Sequence, residues 1–404
     1  MWKSIMKKNK EPTALSHYHE PEFYAALKEC AVWIEATTGK TGFFNPLDVL
    51  KYHCLYYIVF GMRSNGKTTG AQICALIRNV LYNEPCAIVR RFDEDIKGGR
   101  AAMFFGVLDK LGLIEHLTGG EWTSIYYWNG CFYLSRTDED GKRMKCQRPF
   151  CYAFALTQWQ HDKGQTFPAN IGTVIFDEFM TRGQYLPDEF TLFCNTISTI
   201  IRDDGQAKIW MLGNTVSYYC PYFREMGLKH LREMDPGDIS TYTGLREDCS
   251  VCVFYADGIP GGKPTDKYFA FDNPKLRMIT EGRFEMALYP HCPEGYGARD
   301  ILFTFFFDFD GELLRGDVIR TDKDAGEWVF ISPKTTDLKE PDTELIYSDK
   351  PDRRPNWSNR MNKPRTPAEK AIWQLYTSGK FFYADNQCGE TIRTYLMTCG
   401  YNWR

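Results

Sequence analysis

The stretch Gly61–Thr69, GMRSNGKTT, constrains the fold of this chain more than any other nine residues. Its spacing, Gly61-x-x-x-x-Gly66-Lys67-Thr68, is that of a phosphate-binding loop. What flanks it matters as much. CLYYIVF at 54–60 is a short β-rich run that ends at Gly61. After the glycines, apolar residues at 73, 76, 77, 80 and 81 form one helical stripe, which Asn83 and Pro85 should stop. A strand, a glycine-rich turn and an amphipathic helix in that order predict an α/β fold with a mostly parallel sheet.

The spacing has a physical reason. Glycines let backbone N–H groups turn inward around phosphate oxygens, and a helix N-terminus adds a favourable dipole. In this pattern Lys67 reaches the β- and γ-phosphates of ATP, and the Thr68 hydroxyl ligates Mg²⁺. Gly61, Met62, Arg63, Ser64, Asn65, Gly66 and Thr69 complete the expected nucleotide cradle. The plain alternative is a glycine-rich turn with no ligand.

A second motif favours hydrolysis. TVIFDEF at 173–179 reads as a buried strand ending in Asp177 and Glu178. Asp177 is expected to hold Mg²⁺, and Glu178 to orient and polarise the attacking water. AKIWMLGNT at 207–215 is a further buried strand whose end, Asn214, could sense the γ-phosphate or simply form a turn. Three cations are candidates for stabilising transition-state charge: Lys163 before the acidic strand, Arg182 just after it, and Arg202 in STIIRDDG. Each also reads as a solvated surface charge.

The 404 residues allow two domains, with 43% hydrophobic and 25% charged residues, as in globular proteins. No apolar run is long enough for a membrane span. The N-terminal MWKSIMKKNK is basic but lacks a following apolar region, which predicts no secretory signal. The 14 cysteines are scattered and read as free thiols of a reducing cytoplasm. Cys249 and Cys252 form the C-x-x-C in DCSVCVFYADG; with no second pair nearby, they read as buried thiols of a strand. A net charge of −3 excludes binding a polyanion through bulk charge, so contact with nucleic acid needs local patches or a ring.

Along the chain, residues 21–36 and 99–113 read as helices and 86–92 as a strand. Residues 122–156 read as antiparallel strands with turns at Asn129–Gly130 and Asp140–Gly141. The polar stretch 229–248 reads as a linker, dividing a domain at 1–228 from one at 249–404. Beyond it, β-rich runs lie at 250–256, 301–309 and 327–332, followed by helices near 367–377 and 388–398.

The series FNPLDVL, FGMRSNGKTT, VRRFDEDIK, DKGQTFP, VIFDEF, TIIRDDG and MLGNT, in that order over 44–215, resembles the DNA encapsidation ATPases of small protein-primed tailed phages. These are relatives of large terminases, in the additional-strand, catalytic-glutamate division of P-loop enzymes. The resemblance implies a homo-oligomeric ring, pentameric in the family. Such a ring drives double-stranded DNA through the portal of a procapsid with ATP, in the host cytoplasm at the procapsid vertex. It implies Arg202 as a finger acting in trans on a neighbour's ATP, with Lys163 as a second trans cation. It sets Phe44–Pro46 near the adenine and gives Gly213–Thr215 a role in coupling hydrolysis to movement.

The same resemblance implies a smaller α+β, RNase H-like domain at 249–404. It is a nuclease fold in large terminases and vestigial where each genome is already unit length. Asp257, Asp308, Asp310 and Asp385 lie at or near strand ends, and the expectation is solvated acids, not a metal cluster. The loop with Arg353, Arg354, Arg360, Lys363 and Arg365 beside Trp357 is a candidate contact for nucleic-acid backbone, including a packaging RNA, or a solvated loop. Two other functions fit parts of the pattern. One is a terminase with an active endonuclease; the other is a non-enzymatic nucleic-acid-binding adaptor.

Overall fold

The computed structural model describes residues 20–39, 42–158, 170–183, 185–201, 207–215, 219–228, 231–244, 250–256, 288–293, 295–321, 326–339 and 342–401. The chain divides into two units, Met1–Phe284 and Glu285–Arg404.

In the first unit the described residues form a 10-stranded sheet. Its centre is parallel and strongly apolar. β1 (Tyr56–Gly61) lies between β8 (Lys208–Asn214) and β10 (Ser250–Ala256), parallel to both. On the far side of β8 comes β7 (Thr173–Asp177), then β2 (Cys86–Arg90) and β6 (Cys151–Ala155), all parallel. One strand thus separates the strand that enters the glycine loop from the strand that ends in the acids. Near-continuous runs such as YIVF and TVIF suit strands covered on both faces.

An antiparallel wing completes one edge. β3 (Ser124–Trp128) and β4 (Cys131–Thr137) form a hairpin, with Asn129 and Gly130 both at positive φ as its two-residue turn demands. β4 also pairs with β5 (Arg143–Lys145) and β6. At the other edge, β9 (Ile239–Thr243) runs antiparallel to β10.

The helix Lys67–Tyr82 follows β1 through the loop and buries Ile73, Cys74, Leu76 and Ile77. Asn83, in the left-handed region, ends it by donating its N–H to the Asn79 carbonyl. With helix Pro21–Thr38 it covers one face of the sheet; helix Glu189–Ile200 covers the other.

Two expectations change here. The boundary at 229–248 moves, because β9 lies within that stretch and 250–256 is a central strand of the first sheet. β9 hid as a linker because it is a half-exposed edge strand with weak apolar alternation. The single helix expected over 99–113 is three short ones, Gly98–Met103, Gly106–Lys110 and Leu113–Thr118, broken at Phe104–Phe105 and at Leu111–Gly112.

In the second unit the described residues form a six-stranded sheet. β11 (Ile301–Phe309), β12 (Glu312–Ile319) and β13 (Trp328–Pro333) make an antiparallel meander. β14 (Leu345–Ser348) lies parallel to β11, β15 (Trp357–Ser358) parallel to β14, and β16 (Phe381–Tyr383) parallel to β13. Its core stacks Phe307 on Tyr347 at 5.2 Å and sets Tyr395 edge-on to Phe307. Helix Pro367–Thr377 opens with a capping box of Thr366 and Glu369, and Asp385 caps helix Asn386–Thr398.

Candidate nucleotide site

The six parallel strands of the first sheet bring their C-terminal ends to one edge, where ligands bind in open α/β sheets. Register sets the positions: Gly61 lies beside Asn214, Asp177 beside Leu212, and Val89 beside Phe176.

The loop after β1 is built to curl. Gly61 has φ 150°, and a Cβ there would lie 2.3 Å from the Ala256 carbonyl oxygen, so β10 leaves room for glycine only. Ser64 and Gly66 both have positive φ, at 60° and 88°, which turns successive N–H groups toward one centre. The Asn65 carbonyl accepts the Phe44 N–H at 2.8 Å, tying the loop to the FNP segment. Phe43, Phe44, Pro46, Thr69 and Gly70 line a cavity of ≈ 650 Å³ whose opposite wall is helix Pro21–Thr38. That cavity can take an apolar ring beside the phosphate cradle.

Lys67 is buried, at 6% exposure. Its ammonium donates to Met62 O at 2.6 Å and Asn65 Oδ1 at 3.0 Å, and lies 3.4 Å from Gly61 O and Asn214 Oδ1. Burial lowers its pKa to about 7; Asp177 opposes that shift and Arg63 adds to it. Thr68 Oγ1 donates to Asp177 Oδ1 at 3.1 Å. Hydroxyl and carboxylate thus converge as a divalent cation shared with phosphate requires, and the residues fit Mg²⁺. Burial pushes the Asp177 carboxyl up, partly offset by Arg90.

Arg90, at the end of β2, bridges both acids. One nitrogen lies 2.8 Å from Asp177 Oδ2 and the other 2.6 Å from Glu178 Oε2. Sequence reading passed over Arg90, although it stands in the quoted VRRFDEDIK. The available signal was that β2 is a strand of the same parallel sheet and so ends at the same edge. Glu178 stands at φ 60°, an uncommon conformation for a non-glycine residue, and its side chain is 66% exposed.

The site therefore gathers Gly61–Thr69, Asp177, Glu178, Asn214 and the unforeseen Arg90. Arg182 is half-buried in the loop after Glu178. Lys163 and Arg202 lie outside the described residues, as do Cys249 and Asp257. Cys252 sits buried on β10, hydrogen-bonded to Cys54.

In the second unit the remaining candidate acids go separate ways. Asp308 pairs with Lys350 at 3.2 Å, Asp310 sits in the β11–β12 turn at φ 53°, and Asp385 accepts the Cys388 N–H at 2.8 Å. Among the described residues no three His, Cys, Asp or Glu side chains gather as a metal site. In the basic loop Arg354 is neutralised by Asp352 and Asp342 and lies 4.7 Å from the Trp357 ring centroid. Arg353, Arg360, Lys363 and Arg365 are exposed. No helix of the described residues is long and apolar enough to cross a membrane.

Comparison with known proteins bears on the whole arrangement. Residues 141–231, which contain the acidic strand and Asn214, match the family described as Podovirus DNA encapsidation protein (Gp16). The DNA packaging proteins of Bacillus phages PZA and phi29 are each 27% identical over 188 residues, 46% of this chain and 50% of theirs. The chain thus spans about half the length of the curated relatives it matches. In fold, the Phi-28 gp11 DNA packaging motor is similar with a TM-score of 0.51 at 16% identity, over 90% of this chain and 99% of that one. By segment, by sequence and by fold, this chain is similar to the podoviral DNA encapsidation proteins, the family that its motif series resembles.

Proposed function

We propose that this chain hydrolyses ATP and, as a subunit of a homo-oligomeric ring, uses that hydrolysis to move double-stranded DNA into a procapsid. The observation that carries the reading is the convergence of Lys67, Thr68, Asp177 and Glu178 at one sheet edge, in a chain whose relatives are named DNA packaging proteins.

The chemistry follows from the positions. Backbone N–H groups of the loop and Lys67 bind the phosphates, and Asn214 sits close enough to Lys67 to follow the γ-phosphate. Thr68 and Asp177 hold Mg²⁺, which screens the triphosphate charge. Glu178 accepts a hydrogen bond from a water and orients its oxygen toward the γ-phosphorus. The new P–O bond forms as the bond to the β-phosphate oxygen breaks. That oxygen leaves with the electron pair on ADP, and the water's proton passes to Glu178 and on to solvent or phosphate. Arg90 offsets the repulsion between the neighbouring carboxylates. The cavity beside Phe44 and Pro46 takes the adenine.

Assembly belongs to the same proposal. Arg202 and Lys163 act from one subunit on the ATP of the next. The ring, a pentamer as in the resembled family, meets the portal and a packaging RNA in the host cytoplasm, at the procapsid vertex. The exposed Arg353, Arg360, Lys363 and Arg365 are the candidate nucleic-acid contacts of the second unit. That unit's strand order, with three antiparallel strands followed by two parallel ones beside the first, supports an RNase H-like reading. The ammonium of Lys350 on Asp308 favours the vestigial form over a cutting one.

The deciding experiment is ATP turnover with and without double-stranded DNA, run beside Glu178→Gln. Stimulation by DNA, and its loss in the variant while nucleotide still binds, is the expected result. Turnover indifferent to DNA counts against translocation. Plasmid cleavage with Mn²⁺ by the full chain, abolished by Asp308→Ala, would restore the terminase reading.

A further inference from the structure

Arg91, next to Arg90, pairs with neither Asp177 nor the Glu178 carboxylate but with a different acid. Its guanidinium is buried, with 8% side-chain exposure, and grips Glu189, whose side chain is 0% exposed, through two bonds of 2.8 and 2.9 Å. Two further donors go to backbone: Nη2 to Phe179 O at 2.7 Å and Nη1 to Glu178 O at 3.3 Å. Tyr185 lies against the guanidinium at 5.1 Å from its ring centroid. Glu189 is saturated in turn, accepting Tyr222 OH at 2.8 Å and Leu186 N–H at 2.7 Å.

A buried ion pair is a poor device for stability alone, since a well-packed apolar pair of the same volume commonly does as well. What an apolar pair cannot do is bind the two carbonyls that follow Asp177. Those carbonyls belong to a backbone held at φ 60° at Glu178, a conformation that persists only when its surroundings over-determine it. The Phe179 N–H, donated to Leu212 O at 3.2 Å, pins the same turn to β8.

We propose that Arg91 and Glu189 are positioning residues: they lock the backbone of Glu178 and Phe179 so that the Glu178 carboxylate is presented to the attacking water. The inference rests on the reading of Glu178 as the group that orients water. Arg90, the last residue of β2, and Arg91, just beyond it, then divide the work. Arg90 meets the acids' side chains, and Arg91 fixes the backbone that carries them.

The test is steady-state ATP hydrolysis by the full chain carrying Arg91→Met with Glu189→Gln, which removes both buried charges together. A misplacement of about 1 Å at a reacting group costs on the order of 100-fold. The double variant should therefore lose about 100-fold in kcat, with KM and affinity for a fluorescent ATP analogue within about threefold. Wild-type kcat in the folded double variant overturns the proposal. So does an equal loss of kcat and nucleotide affinity, which marks a general structural role.

If the double variant does not fold, Glu189→Gln decides. It keeps an acceptor oxygen but weakens the grip on Arg91; a fall in kcat of about 10-fold at constant KM supports the anchor, and unchanged kcat rejects it. The unsubstituted chain and Glu178→Gln run in parallel. No turnover in the unsubstituted chain sinks the ATPase reading itself, whereas full turnover in the double variant sinks only the anchor.

Discussion

In the first unit, Asp177 ends a parallel strand whose neighbours end in an asparagine and an arginine, with the glycine loop one strand further on. In the second, Asp308 lies near the end of β11, beside Ser348 of β14, and its carboxylate meets the ammonium of Lys350 two residues further on. Both are strand-end acids in mixed sheets. The first is buried, its pKa raised by burial, and faces Thr68; the second is partly exposed and paired to a surface lysine. The difference teaches that chemistry at a strand end is set by what adjacent strands deliver there. A carboxylate with a hydroxyl and a phosphate cradle beside it becomes part of a nucleotide site. One beside a surface lysine forms a partly exposed ion pair.

The largest effect should come from Glu178→Gln. Phosphate release is expected to fall by about 10³-fold while ATP binding persists, since a positioned base contributes roughly 10²–10⁴. Asp308→Asn in the same assay should leave turnover within about twofold. Equal losses at the two positions would break the contrast between the sheets. Next comes Gly61→Ala, which sets a Cβ against the Ala256 carbonyl at a φ that L-residues resist. Urea unfolding of the first unit should show a loss of about 2–3 kcal/mol; an unchanged midpoint would mean that β10 yields easily.

Lys67 supplies a test by pH. Burial holds its pKa near 7, below its ordinary 10.5, while a bound triphosphate favours the ammonium. Nucleotide binding at pH 8.5 should therefore take up about one proton, seen by calorimetry in buffers of different ionisation enthalpy and abolished in Lys67→Met. Stability runs the opposite way from nucleotide binding, which weakens as pH rises. Between pH 7 and 10.5 the unfolded chain binds the extra proton, so this residue's contribution to stability rises with pH across that window. The smallest effect belongs to Lys350→Ala. Breaking a largely exposed pair with Asp308 should change stability by about 0.5 kcal/mol or less, and a larger loss would show that the second sheet relies on this contact.

Much of the first unit was readable in the chain. Buried parallel strands write themselves as unbroken apolar runs, so β1, β2, β7 and β8 were visible, and the glycine spacing located the loop. Asn214 was legible as a strand end, though not as a neighbour of Lys67, because strand order is a property of long-range pairing. Arg90 and Arg91 look alike in sequence. Only the fold, in which β2 ends at Arg90 and Arg91 stands just beyond it, separates the one that meets the acids from the one that grips Glu189. The domain boundary failed for a similar reason. A half-exposed edge strand, β9, carries little periodic signal, and the apolar run of β10 gives no hint of which sheet claims it.

The close approach of Gly61 to Ala256 has a consequence for biogenesis. β1 lies between β8 and β10, so neither flank of the strand that leads into the cradle exists when residue 61 leaves the ribosome. Synthesis at roughly 5–20 residues per second leaves it without partners until β8 and then β10 emerge. A nascent chain halted before residue 250 should expose one apolar edge of β1 to chaperones, and acquire its nucleotide site only after β10, the last strand of the first sheet in chain order, has been made.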